Sequence, residues 1–165
     1  MIQKFSQSPS VWFNYAHFLH QTISSPERAR LLLPRATQAL PQHTHINLTI
    51  KFAALEFRSQ NGSPERGRTI FEGLLSTFPK RLDIWNQFLD LEVQQNDHET
   101  VRALFERVVK MKHLRPKGAK AWFKRWSDWE TKNGDSKSQS KVRVKAEQWV
   151  KDRAEMKDSV ADKNE

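Results

Sequence analysis

Ser25-Pro26-Glu27-Arg28-Ala29-Arg30 returns 38 residues later as Ser63-Pro64-Glu65-Arg66-Gly67-Arg68. The same slot is refilled by Asp97-His98-Glu99-Thr100-Val101-Arg102 and, more weakly, by Lys141-Val142-Arg143. An aromatic segment precedes each copy. Trp12 to Phe18 is the first, Thr49 to Glu56 the second, Trp85 to Glu92 the third and Phe123 to Glu130 the fourth. One column holds Tyr15, Phe52, Phe88 and Trp126, spaced 37, 36 and 38 residues apart. A second holds Phe18, Leu55, Leu91 and Trp129, and a third Leu19, Glu56, Glu92 and Glu130. Two segments per unit at this period indicate stacked helix-turn-helix repeats.

Local chemistry makes the segments helical. Ile84, Trp85, Phe88, Leu91 and Glu92 recur at three-to-four spacing, which lines one face of a helix. Ser25 and Ser63 suit the N-cap, and Pro26 and Pro64 follow at the first helical position. Glu27 and Glu65 then sit where the helix dipole favours an acid, and Asp97 takes the cap role in the third unit. Pro41, Pro79 and Pro116 punctuate the ends of the second helices. The expected helices are 9–20 with 26–40, 44–60 with 64–77, 81–95 with 98–112, and 117–132 with 137–155. The array therefore covers residues 1–155, in units of about 9–40, 44–77, 81–112 and 117–155, and the polar stretch 156–165 is expected to be a disordered tail. Pro34 conflicts locally with this assignment, because an interior proline costs a helix about 3 kcal/mol or kinks it.

The whole chain has 165 residues, enough for one domain or a short array. Its 28 Lys and Arg outweigh 19 Asp and Glu, a net charge of +9 that favours acidic partners, nucleic acid foremost. There is no Cys, hence no disulfide, Cys-ligated zinc or thiol nucleophile. No apolar stretch approaches the roughly 18 residues a membrane helix needs. The first ten residues lack a signal-peptide pattern, and five Gly are too few for a Gly-rich nucleotide-binding chain.

The pattern aromatic-x-x-aromatic-x-x-apolar-Glu, followed by a small residue and Arg, resembles half-a-tetratricopeptide (HAT) repeats. Ile70-Phe71-Glu72 and Phe105-Glu106-Arg107-Val108 carry the second-helix signature. Longer runs, Lys51 to Phe57, Leu75 to Arg81 with Asp83-Ile84-Trp85, and Leu104 to Val108, resemble the C-terminal HAT repeats of a eukaryotic family of rRNA biogenesis factors. The resemblance spans roughly residues 10–155. It implies an all-α, right-handed superhelical solenoid of about four repeats, with no enzymatic activity and no cofactor. It also implies nucleolar residence and work toward small-subunit rRNA within the pre-ribosomal processome. Pre-ribosomal proteins and pre-rRNA would be partners, as would N-terminal RNA-binding domains of a longer parent chain; no membrane and no small-molecule substrate are implied. The alternative is a HAT scaffold of a splicing or polyadenylation complex.

The expected repeat core is Trp12, Tyr15, Phe18, Phe52, Leu55, Trp85, Phe88, Leu91, Trp126 and Trp129, because their spacing is the repeat spacing. Glu56, Glu92 and Glu130 are expected to pair with Arg68, Arg102 and Arg143 of the same repeat, leaving none for Arg30, opposite Leu19. His17 and His20 lie three apart on a helix and His43 and His45 in the following loop, so the two pairs could meet at a metal. Zinc needs four fixed ligands, or three and a water, and scattered surface His is the expected reading. The main candidate for function is the run 110–125. It contains Lys110, Lys112, Arg115, Lys117, Lys120, Lys124 and Arg125, no acid, and Trp122 among them. Cations beside an aromatic suit a phosphate backbone and an unstacked base. An acidic protein partner or a solvated face are the competing readings.

Overall fold

The computed structural model describes residues 7–161, and every regular element among them is an α-helix. In chain order these are α1 (Pro9–Gln21), α2 (Pro26–Arg30), α3 (Leu32–Ala39), α4 (Gln42–Arg58), α5 (Pro64–Thr77), α6 (Leu82–Gln94), α7 (His98–Val109), α8 (Pro116–Asn133) and α9 (Ser136–Ala161). The fold class is the expected all-α helical-repeat class.

Two spans depart from expectation. The second helix of the first repeat is broken at Leu31, and Pro34 is the reason. A proline ring clashes with the carbonyl four residues back, here that of Arg30. Ending α2 at Arg30 and restarting at Leu32 places Pro34 in the first turn of α3, where its missing N–H is not needed. At the other end α9 runs to Ala161 instead of stopping at 155. No Gly or Pro stands there to halt it. The last four residues of the expected tail, 162–165, lie outside the described residues.

The chain divides into two compact units after Asn96, so the boundary falls between α6 and α7. In the first unit α1 packs on α2, α3 and α4, and α4 packs on α5 and α6. Trp12, Ala16 and Leu19 of α1 meet Ala29, Leu32 and Ala36, with Leu48, Phe52 and Leu55 of α4 beneath. Phe71 of α5 stacks on Phe88 of α6, with centroids 4.8 Å apart and planes at 3°. In the second unit α8 packs on α7 and α9, and Phe105 of α7 stacks on Trp126 of α8 at 5.4 Å and 2°. The aromatic of a second helix thus meets the first helix of the following repeat. Most of the expected core is buried accordingly. Phe18, at 44% exposed, is not, and Tyr15 is only partly buried. The partner that covers their columns in later repeats is a preceding second helix, and α1 has none among the described residues.

The ion pairs follow the same register and correct the expected pairing. Arg30 grips Glu56 through Nε to Oε1 at 2.7 Å and Nη2 to Oε2 at 2.9 Å. Arg68 grips Glu92 at 2.7 and 2.8 Å, and Arg102 grips Glu130 at 2.8 and 2.9 Å. Each bridge joins one repeat to the next, not the two helices of a single repeat. Arg30 therefore has a carboxylate after all, whereas Arg143 is exposed and makes no ion pair among the described residues. Side-chain direction explains the shift. Ala29, Gly67, Val101 and Val142, each just before its Arg, are buried. A Cβ on Gly67 would lie 2.5 Å from the Phe57 ring of α4, so this position faces its own first helix. One residue later the helix has turned about 100°, and the Arg points away from that helix. Glu56 also accepts the Ser63 backbone N–H at 2.9 Å, which ties down the start of its own second helix. The Ser25 and Ser63 side chains make no capping bond, whereas Asp97 accepts the Thr100 N–H at 3.1 Å.

Candidate nucleic-acid interface

The buried acids belong to this framework. Burial pushes the Glu56 carboxyl up, but the hydrogen bonds from Arg30 and the Ser63 N–H outweigh it and leave the pKa below the usual carboxylate range. Arg102 lowers Glu130 in the same way, against its burial and with help from the Trp126 indole N–H at 3.2 Å. A carboxylate clamped by a bidentate guanidinium is a structural ion, poorly placed to trade protons. His20 is buried with Nε2 3.9 Å from Glu56, and burial lowers its pKa. His17 is exposed, and His45 Nε2 lies 2.8 Å from the Leu40 carbonyl oxygen. Among the described residues no three His, Asp or Glu group as metal ligands would.

The basic run begins where α7 ends. Lys110 follows Val109, with its ammonium 3.4 Å from Glu106 one turn back. Leu114 in the loop is buried, 1% exposed, and Arg115 stands before Pro116 at the first helical position. Along α8, Lys117, Lys120 and Lys124 recur at i, i+3 and i+7, so they share one face, and all three are exposed. Ala119, Trp122, Phe123 and Trp126 occupy the opposite, buried face. Lys112, Arg115, Lys117, Lys120 and Lys124 form no ion pair among the described residues, so their charge faces solvent.

Trp122 is corrected by this geometry. It is 4% exposed and meets Phe105 edge-on at 6.0 Å, while the Arg125 guanidinium sits 5.7 Å from its ring centroid. It is a core residue and offers no face to a base. The signal was legible, since 119, 122, 126 and 129 form one apolar stripe at helical spacing. The sequence also hid three residues that α9 delivers to the start of the run. Arg153 donates to the Lys112 carbonyl at 2.9 Å and to the Leu114 carbonyl at 3.1 Å, which pins the loop. Lys145 donates to Glu106 at 2.9 Å, and Trp149 lies beside Arg153. No local pattern links these positions to a loop about 40 residues upstream. The run is thus two features, a pinned loop facing α9 and a lysine stripe on α8.

The family model described as Suppressor of forked protein matches residues 7–163 of this chain. The rRNA biogenesis protein rrp5 of Schizosaccharomyces pombe is 47% identical over 150 residues, which covers 91% of this chain and 9% of that protein. The Protein RRP5 homologs of Mus musculus and Homo sapiens are 38% and 37% identical over 91% of this chain, and it spans 8% of the length of each.

Proposed function

The chain belongs to the Suppressor of forked family of helical HAT repeats, and from that premise we propose that it is a non-catalytic, RNA-associated scaffold of ribosome biogenesis. The similarity to proteins named for rRNA biogenesis favours this reading over a splicing or polyadenylation scaffold. The observation that carries the RNA contact is the solvent-facing charge of Lys112, Arg115, Lys117, Lys120 and Lys124, in a stretch with no acid. Lysines on one helix face match a phosphate backbone, and counterion release supplies the affinity. Working as part of a longer chain, a weak module of this kind gains from multivalency. Its place would be the nucleolus, on particles that mature small-subunit rRNA. Pre-ribosomal proteins would meet exposed positions of the first helices, Phe18 of α1 among them.

The test is RNA crosslinking of the chain in cells, with the crosslinked peptides and RNA both identified. Crosslinks at residues 110–125 to precursor small-subunit rRNA are expected. Recovery with pre-ribosomes but no crosslink in that stretch would refute the RNA role and leave a protein adaptor. Recovery with splicing or polyadenylation components would overturn the assembly assignment.

A further inference from the structure

Trp122 is buried, yet the fold brings a different aromatic to the basic loop. A cleft of about 310 Å³ opens between the end of α7, the following loop, and α9. That volume sits at the low end of small-ligand pockets, about 300–1,000 Å³. Val109, Met111, Phe123 and Trp149 make its apolar surface, and Lys110 and Lys112 stand at its edge. Trp149 is only partly buried. It is held in place by Arg153, whose guanidinium lies 5.4 Å from the ring centroid and is itself tied to two loop carbonyls. Arg153 takes one face of the ring, so a base would stack on the other.

Four cations and two carboxylates line the cleft. The four cations outnumber the two acids, which leaves the cleft net positive. Glu106 is paired with Lys145 at 2.9 Å, and that hydrogen bond holds its carboxyl below the usual range. Asp152 accepts the Gln148 amide at 2.6 Å. Lys112 has no ion-pair partner among the described residues.

We infer that this cleft takes one unstacked base of single-stranded RNA, with Trp149 as its stacking partner and Lys110 and Lys112 on the flanking phosphates. The inference rests on the RNA reading above and adds to it the site and the form of the RNA. An aromatic face between cations is the arrangement that reads single strands, because every base has a π-face. A duplex keeps its bases stacked and offers none to such a cleft.

The test uses the full chain and a fluorescently labelled oligouridylate, titrated at several salt concentrations. Trp149→Ala should weaken binding about 5- to 150-fold, the alanine cost of one base stack, with an unchanged salt slope. Trp149→Phe should retain most of the affinity. Replacing Lys110 and Lys112 by Ala should flatten the slope of log K against log salt by about 1.4, the value for two single-strand phosphate contacts. A 4-thiouridine oligonucleotide should crosslink to the wild-type peptide that contains Trp149, a readout independent of how any variant folds. Wild-type affinity in Trp149→Ala, with crosslinks confined to the α8 lysines, would overturn the cleft and leave the RNA reading standing. No RNA binding by the wild-type chain, with binding of an acidic peptide instead, would overturn both.

Discussion

Removing Glu92 tests the register that joins the repeats. Its carboxylate is 0% exposed and accepts two bonds from Arg68. Glu92→Ala leaves that guanidinium, already with 24% of its side chain in water, without its buried carboxylate but still beside the exposed Glu65. Breaking a buried pair from one side costs about 3–5 kcal/mol. Arg68 keeps some hydration and the Glu65 contact, so the expected loss is about 2–4 kcal/mol. At roughly 2–4 °C per kcal/mol for a chain of this size, Tm should fall by about 5–15 °C. The assay is a pair of double-mutant cycles read by denaturant unfolding. Glu92 and Arg68 should couple by about 1.5–3 kcal/mol, and Glu92 and Arg102 by less than about 0.5 kcal/mol. Glu130 already holds Arg102, which is why the second cycle should be near zero. A larger coupling to Arg102 than to Arg68 would refute the repeat-to-repeat register.

Gly67→Ala should destabilise the fold by about 1–3 kcal/mol, because its Cβ would meet the Phe57 ring. Gly73→Ala has open space and should stabilise by up to about 1 kcal/mol, so thermal melts of the two should move in opposite directions. Trp122→Ala should cost about 3–5 kcal/mol of stability, whereas Ala at Lys117, Lys120 and Lys124 should leave the melt unchanged and weaken RNA binding; the reverse pattern would return Trp122 to the surface. Glu56 and Glu130 have folded pKa values below their unfolded ones, so the unfolded chain binds protons first. Their contribution is complete above the ordinary carboxylate pKa of about 4.3 and disappears as pH falls through the lower folded values. Tm measured from neutral to acid pH should drop there, and Glu130→Gln should flatten the drop. His20 is held neutral by burial, so its contribution falls as pH drops below about 6.5, and His20→Gln should remove that part of the slope.

The helices and their period were legible because they depend on short-range features. Apolar residues three and four apart, Pro at first helical positions and an Arg returning once per unit need no tertiary information. Pro34 announced a conflict in the sequence, and the structure resolves it by a break at Leu31 instead of a kink within one helix. The lysines around Trp122 point to a surface site, but the stripe it shares with Trp126 and Trp129 turns its ring into the core.

Sequence alone determined that this is a helical-repeat protein, which residues recur, and where the positive charge is concentrated. The tertiary structure decided which copy of the repeat each recurring side chain serves. One step along a helix turns a side chain by about 100°, enough to carry Arg68 from its own Glu56 to the next repeat's Glu92. It also decided that Trp149 and Arg153 reach the loop at Lys112, because the approach of α9 to that loop is a matter of packing between helices far apart in the chain.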